Sequence, residues 1–371
     1  MIARFLSPLG FAVALLSPLR ALPPAGATVA FITNDEGAHV SSYLPALAEA
    51  KEIGSVVLAV PSEKTVLAAR KILGSRLTAV YSTPRELFAH YHPSLAVITL
   101  EPRLATPAID EALEAGCNVL AEKPACLSTA DFARLAKKAD KKHVFLSLAL
   151  ANRLNPEMQF ARELIATGRI GKIYGVELHL IADQTRLGRP NYSDSWFAQK
   201  ARAGGGHLIW LGIHWLDLGM FLTQSDITEV SGFTANVGGR ALDVEDSAVL
   251  SLKFAGGFLG TMTSGYYLDK SYHSHVKIWG SAGWIDFNPY GADVPFRYYS
   301  TVDAHPKIAT YTRSDAPTGY SPFVAACVRA SLGLQPTPVP THDSLRVIRT
   351  IFAAYKSVET GRAQKISDPT Q

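Results

Sequence analysis

From Thr28 to Ala149, short apolar runs alternate with amphipathic stretches. Val29–Thr33, Val56–Val60, Leu77–Tyr81, Leu95–Thr99, Val119–Ala121 and Val144–Leu148 have the length and apolar content of buried strands. Helix boundary signals lie between them. Thr106-Pro107 reads as an N-cap followed by a first-turn proline, Gly116 closes that helix, and Ser128 with Asp131 forms a capping pair for the next. This repetition predicts an α/β chain whose residues 28–149 form a Rossmann-like, doubly wound parallel sheet with right-handed crossovers.

The pattern changes after Asn155-Pro156, itself a cap-plus-proline helix start. Tyr174, Val176, Leu178 and Leu180 alternate with Gly175, Glu177 and His179, which predicts a half-buried strand. Ala248–Phe254 and Phe258–Ser264 flank Gly256-Gly257 as a hairpin, and Val276–Trp279 and Trp284–Phe287 flank a second glycine turn. Strands joined by such turns predict an α+β domain over residues 150–340, built on a large open, mainly antiparallel sheet. Pro336-Thr337-Pro338-Val339-Pro340 is a stiff connector into a last helix and tail, residues 341–371. There Leu345, Ile348, Phe352 and Tyr355 share one face until Gly361.

The 371 residues suffice for two domains, and 47% apolar against 18% charged residues supports a sizeable core. The formal charge of +4 is not gathered into a basic cluster, which argues against a nucleic-acid partner. Cys117, Cys126 and Cys327 show neither zinc nor disulfide spacing. Residues 1–27 change the picture more. Met1-Ile2-Ala3-Arg4 is a short basic start, Phe5 to Leu19 is mostly apolar, and Ala25-Gly26-Ala27 offers small residues to a signal peptidase. They read as a signal peptide, hence a periplasmic or secreted protein; the competing reading is an untidy extension of a cytoplasmic one. No later segment is long and apolar enough to span a bilayer, so no transmembrane anchor is expected after signal removal.

Candidate chemistry concentrates at two places. Glu122-Lys123-Pro124 follows the run ending at Ala121, so Lys123 is delivered to the carboxyl end of the sheet, where open α/β sheets bind ligands. An ordinary surface turn is the alternative. The second place is Gly204-Gly205-Gly206, leading into a helix on which His207, Trp210, Leu211 and His214 fall on one stripe. Core packing explains most such stripes, but two histidines around a tryptophan suit an aromatic sugar platform beside a proton-transfer group. Asn152 and Arg153, just past the last Rossmann strand, suit hydrogen bonds to sugar hydroxyls; Arg153 equally suits a pin between domains. His273 and His275 share a strand face without a third ligand nearby, so no metal is expected. Cys126 has no assignable base and reads as a buried filler.

Taken in order, Glu122-Lys123-Pro124, Ala151-Asn152-Arg153-Leu154-Asn155-Pro156, Ile170-Gly171-Lys172-Ile173, the triple-glycine helix, Val244-Glu245-Asp246-Ser247 and Gly280-Ser281-Ala282-Gly283-Trp284 resemble the Gfo/Idh/MocA oxidoreductases. The resemblance runs from about residue 28 to 365. It implies NAD or NADP bound to the first half, a substrate domain in the second, and homodimers or homotetramers formed through the sheet. It also implies oxidation or reduction of a hydroxyl on a sugar, cyclitol or glycoside. By that resemblance Lys123 touches the substrate hydroxyl and the nicotinamide ribose, and His214 takes the proton as hydride leaves. Such a step needs a base at the O–H and a cation beside the developing alkoxide.

The chain departs from that family at three places. Thr33-Asn34-Asp35-Glu36-Gly37-Ala38-His39 has one glycine where G-x-G-x-x-G is expected, and it brings two carboxylates near a pyrophosphate. Thr33, Asn34, Gly37, Glu122 and Lys123 remain the candidate cofactor residues there. The second strand ends Ala59-Val60-Pro61-Ser62 with no acid for the adenine ribose, and Ser62 with Lys64 leans towards a 2′-phosphate. Trp210 stands where the family has an acid four positions before the histidine, leaving Asp217 or His207 to serve His214. These losses, together with the export signal, keep a second reading open: a non-redox carbohydrate-active enzyme or sugar-binding paralogue without soluble NAD turnover. A third takes the chain as an interaction subunit using its open sheet. The loop discriminates between the first two. Amides free to converge on a phosphate favour the oxidoreductase, whereas Asp35 or Glu36 filling that space favours the paralogue.

Overall fold

The computed structural model describes residues 26–267, 271–290, 295–313 and 315–366. The export reading of residues 1–27 therefore lies outside the described residues up to residue 25, and Ala27 is already the first, buried residue of a strand.

All six apolar runs of the first half are strands, within a few residues of their expected bounds. They are β1 (Ala27–Ile32), β2 (Ile53–Ala59), β3 (Leu77–Tyr81), β4 (Leu95–Ile98), β5 (Asn118–Ala121) and β6 (Leu146–Leu148). Among the described residues they pair in parallel, in the order β3-β2-β1-β4-β5-β6. The helices α1 (Val40–Glu49), α2 (Glu63–Leu73), α3 (Pro84–His90), α4 (Pro102–Glu114) and α5 (Thr129–Lys142) connect them. Strand order reverses between β1 and β4, and that switch point is where a doubly wound sheet opens a crevice at the carboxyl ends of its strands. Ser128 caps α5 as expected, its hydroxyl accepting from the Asp131 amide at 3.1 Å. The Thr106-Pro107 start is corrected. Helix α4 begins a turn earlier, with Pro102 in the first turn after Glu101, and Pro107 sits inside it. A proline pair gave two possible first turns, and the sequence does not rank them.

The second half opens with a 3-10 turn, Ala151–Leu154, and α6 (Pro156–Ala166), then β7 (Ile173–Asp183) and α7 (Lys200–Ala203). A π-helical turn, Leu208–Gly212, runs directly into α8 (Ile213–Thr223). The strands β8 (Ile227–Ala235), β9 (Ser247–Phe254), β10 (Leu259–Tyr267), β11 (His273–Gly280), β12 (Gly283–Phe287), β13 (Phe296–Ser300) and β14 (Ala309–Tyr311) follow. The chain closes with α9 (Tyr320–Ser331), α10 (Thr341–Thr360) and β15 (Gln364–Lys365). Among the described residues the second sheet has nine strands, in the order β14-β13-β12-β11-β7-β10-β9-β8-β15. Both expected hairpins are there, and every recorded pairing is antiparallel except β7 with β10. Val176, Leu178 and Leu180 bury one face of β7, whereas Tyr174, at the start of the strand, is exposed. The opposite, open face carries Phe233, Val249, Leu259 and Trp279.

Two helices return to the first half. Helix α9 packs on α1, and α10 lies between α5 and β6 on one side and α8 and β8 on the other. The start of α10 closes the free edge of β6, with Thr341 and Ser344 hydroxyls accepting from the Leu146 and Leu148 amides at 3.0 and 3.1 Å. Contact on two sides widens its buried stripe. Ser344, Val347, Ile348, Ile351 and Ala354 are buried, while the predicted Leu345, Phe352 and Tyr355 are half-buried.

Candidate active site

Strand β5 ends at Ala121 and delivers Glu122 and Lys123 beside the switch point, as the sequence predicted. Neither side chain meets solvent, at 2% and 1% exposure. One oxygen of Glu122 accepts from the hydroxyls of Tyr43 and Tyr320, at 2.9 and 2.7 Å, and stands 3.1 Å from His39 Nδ1. The Tyr320 oxygen is also 2.8 Å from that nitrogen. Since the Tyr320 proton is committed to Glu122, His39 must carry its proton on Nδ1. Burial alone would raise the Glu122 carboxyl. The charge and hydrogen bond of His39, the charge of Lys123 and the Tyr320 hydroxyl outweigh it and hold Glu122 at about 2. Lys123 Nζ donates to the Trp210 carbonyl at 2.9 Å and lies 3.1 Å from the centre of the Trp210 ring. Burial pulls this ammonium down to about 8, against the charge of Glu122 and with that of Arg186.

Trp210 belongs to the π-helical turn. Gly204 ends α7 at φ 85°, and the next two glycines let the chain approach two walls. A Cβ on Gly205 would lie 2.1 Å from the Tyr355 hydroxyl, and one on Gly206 would lie 1.9 Å from the Glu245 carbonyl. The Glu245 carboxylate accepts from the Gly206 and Leu208 amides at 2.8 and 3.0 Å, an anion capping the helix start. A π turn takes more residues than an α turn, so a seven-residue spacing no longer returns to the same face. The predicted stripe therefore splits. His207 turns into the core, its Nδ1 2.6 Å from Ser264 Oγ and its ring edge-on to Tyr266, which removes it from the substrate-binding set. Trp210 turns to His39, Trp196 and Phe197, stacking on the His39 ring at 5.4 Å, so it forms wall rather than an open sugar platform.

His214 lies in the first turn of α8, one turn past Trp210. It is partly exposed, and its Nδ1 is buried without a hydrogen-bond partner among the described residues. Burial, then the charge of Lys123, pulls it down to about 3; Glu122 opposes this and His39 adds to it. Its imidazole is thus neutral at ordinary pH and feels the lysine from the other half of the molecule.

Arg153 is a pin between domains and not a sugar ligand. At 2% exposure it bonds both oxygens of Asp217 on α8, at 2.8 and 2.5 Å, and Asp343 on α10 at 2.5 Å. Asp217 is consumed by that pairing and is corrected as a partner for His214 or a substrate group. Asn152 stays near the surface and donates to the Tyr290 hydroxyl at 2.9 Å. Tyr290 packs on Tyr272, whose hydroxyl accepts from Arg186 at 2.6 Å, so Arg186 and two tyrosines extend the Asn152 wall. Sequence reading missed Arg186, His39, Tyr43 and Tyr320. The spacing of His39 and Tyr43, one helical turn, was the sole hint of the Glu122 cluster. Cys126 is fully buried, and its burial pushes the thiol well up, in keeping with a filler. His275 bonds Asp286 at 2.8 Å, and no group of three or more metal-ligating side chains stands together among the described residues.

At the other end of the crevice, a cavity of about 280 Å3 opens at the carboxyl ends of β1, β2 and β4. Ile32, Thr33, Asn34, Ala59, Pro61 and Leu104 are among its walls. Its position and largely apolar lining fit the adenosine end of a dinucleotide. Of the candidate cofactor residues, Thr33 and Asn34 line it; Ser62 follows the lining residue Pro61 in the chain. Gly37 holds the loop tight, since a Cβ there would lie 2.2 Å from Thr33 Oγ1. Both loop carboxylates are turned aside. Glu36 and the buried Glu101 are bound by Arg202 of α7, and Asp35 accepts from Thr65 Oγ1 at 2.8 Å. The Glu36, Gly37 and Ala38 amides already donate to Asn34 and Thr99, and the Ser42 amide to the His39 carbonyl, which leaves the Val40 and Ser41 amides at the start of α1 to meet a phosphate. A larger depression of about 510 Å3, between the end of α8 and the β9–β10 turn, holds none of the predicted site residues.

With that geometry in view, the comparisons with known proteins agree. The oxidoreductase family with an NAD-binding Rossmann fold matches residues 36–150, and the GFO/IDH/MocA C-terminal domain matches residues 158–286. The chain belongs to the Gfo/Idh/MocA oxidoreductase family. It is 25% identical over 209 residues to myo-inositol 2-dehydrogenase of Thermotoga maritima, covering 55% of this chain and 59% of that one. It is 28% identical over 144 residues to D-glucoside 3-dehydrogenase of Escherichia coli, 39% of this chain and 40% of that one. These alignments span about half the length of the curated relatives. Among solved structures, an oxidoreductase domain protein from Kribbella flavida superposes with a TM-score of 0.80 at 22% identity, covering 93% of this chain and all of that one. The WlbA dehydrogenase of Bordetella pertussis, in complex with NADH and UDP-GlcNAcA, gives 0.78 at 20% identity, covering 92% and 99%. At such identities the likeness is one of fold.

Proposed function

We propose that this protein is an NAD(P)-dependent oxidoreductase that interconverts a hydroxyl and a keto group on a sugar, cyclitol or glycoside. The observation that carries the proposal is the pairing of Lys123 from the first half with the Trp210 carbonyl, one turn before His214 on the second. The nicotinamide, when bound, supplies the hydride acceptor or donor. In oxidation the hydroxyl gives up its C–H hydride and its O–H proton, and a C=O double bond forms. His214, neutral and partly exposed, takes that proton. Lys123 stabilises the alkoxide character that develops on the oxygen. Asn152, Arg186, Tyr272 and Tyr290 supply polar groups and aromatic faces for a polyol. The family, the cavity at the carboxyl ends of β1, β2 and β4, and the loop carboxylates bonded to Thr65 and Arg202 support NAD(P) use. Relatives described as acting on inositol and glucosides support the substrate class. Purified protein is expected to bind NAD or NADP and to change reduced-nicotinamide absorbance with a member of a monosaccharide, glycoside and cyclitol panel. Failure to bind either dinucleotide by calorimetry ends the reading in favour of a paralogue without redox turnover.

Two further parts of the proposal stand on separate observations. The open sheet face with Phe233, Val249, Leu259 and Trp279 suits a homodimer or homotetramer, which Phe233→Glu is expected to dissociate in light scattering. The pattern of residues 1–27 supports export to the periplasm or beyond. Recovery of full-length, uncleaved protein solely from the cytoplasmic fraction would overturn it.

A further inference from the structure

The family's Rossmann domains identify NAD by an acid at the end of the second strand, which hydrogen-bonds the adenine ribose, and β2 here ends without one. The β1–α1 loop supplies another carboxylate, next in the chain to a wall of the cavity. Asp35 leaves the β1–α1 loop directly after Asn34, a wall of the 280 Å3 cavity, and reaches sideways to the first turns of α2. Its Oδ1 accepts from Thr65 Oγ1 at 2.8 Å. Ser62, the residue just before α2, and Thr65 both hold the Asp35 carboxyl below its ordinary value, with Lys64 adding its charge. A loop that departs from the family glycines thereby carries an acid over to the strand that lacks one.

We propose that Asp35 is the acceptor for the adenine-ribose hydroxyls and makes this protein selective for NAD over NADP. The inference rests on the nucleotide-dependent function proposed above and deepens it. A carboxylate has about four acceptor positions, so those used by Ser62 and Thr65 leave room for a ribose diol. A 2′-phosphate placed there would bring two like charges together, which is unfavourable. Ser62, which by itself points to a phosphate, is instead engaged with Asp35, and Lys64 adds its charge from nearby.

The test is calorimetric titration of the full chain with NAD and with NADP, which needs no turnover. NAD is expected to bind at least about tenfold more tightly, the scale of one hydrogen bond to a charged group. Asp35→Asn keeps the shape and removes the charge, and is expected to narrow that ratio chiefly by improving NADP. Lys64→Ala, which removes the neighbouring cation and leaves the acid, is expected to keep NAD preferred. Equal or better binding of NADP by the native protein overturns the inference, as does an Asp35→Asn variant that weakens both nucleotides alike. Binding of neither overturns the function proposed above as well, which separates the two failures.

Discussion

At the adenosine end of the crevice β1, β2 and β4 leave an apolar cavity of about 280 Å3, whereas at the catalytic end Trp210, His39, Tyr43 and Tyr320 close over Glu122 and Lys123. The first region recognises by shape. The second is ordered by charge: one carboxylate with three side-chain donors, and one ammonium held by a carbonyl and a ring. The open cavity is ready for a ligand, while Lys123 is covered by the Trp210 ring and meets no solvent as long as that ring stays in place. Binding and turnover should therefore be separable by mutation. Lys123→Ala and His214→Ala are each expected to lower kcat by about 10²- to 10⁴-fold. NAD affinity should be nearly unchanged in both, because neither side chain lines the adenosine cavity. Equal loss of affinity and turnover would dissolve the distinction between the two ends.

The catalytic end also depends on a buried ion triad that the adenosine end lacks. Arg153→Ala leaves Asp217 on α8 uncompensated and nearly inaccessible to water, whereas Asp343 on α10 keeps Arg346 at 3.3 Å. Breaking such a pair costs about 3–5 kcal/mol. Urea denaturation is expected to show that loss, with the midpoint lowered and the slope retained. A change below about 1 kcal/mol would mean that water reaches the triad.

The strands, the hairpins and the position of Lys123 were legible because they follow from short-range patterns: period two, glycine turns and a strand end. The π-helical turn was not. Nothing in Leu208-Ile209-Trp210-Leu211-Gly212 announces an extra residue in the turn, and it alone moved His207 from the site to the core. Arg153 failed as a ligand for a different reason, since its acids lie 64 and 190 positions away in the chain. Tyr320 reaches Glu122 across 198 positions, with no local signal at all. Long-range polar partners are set by topology, which a linear pattern does not encode.

The two histidines sharpen the contrast through pH. His207 and His214 are both held at about 3 by burial, against an ordinary 6.5. Between those values the unfolded chain binds protons that the folded chain refuses, so stability falls as pH drops below 6.5. Glu122, held at about 2 against an ordinary 4.5, adds to the loss further down. Each histidine contributes at most about 1.4 kcal/mol per pH unit. His207→Gln, which keeps a polar group near Ser264, is expected to flatten the acid limb of urea midpoint against pH. An unchanged slope would show that the buried His207 does not stay neutral.

The smallest expected effect concerns the cover itself. Lys123 is held at about 8 chiefly because burial disfavours its charge, so its cationic form is lost as pH rises through that value. Activity that needs the cation should fall on the same alkaline limb. Trp210→Ala removes the ring and keeps the backbone carbonyl that accepts from Nζ, which isolates the cover from the hydrogen bond. The variant loses a cation–π contact worth about 0.5–2 kcal/mol and admits water, two effects on the ammonium that oppose each other. Rehydration wins if burial is the main cause of the depression, and the alkaline limb then moves up by about one pH unit or less. Faster acylation of Lys123 by an amine-directed reagent should accompany that shift. Acylation at the native rate would mean that His39 and Tyr320, not Trp210, keep this end of the crevice closed.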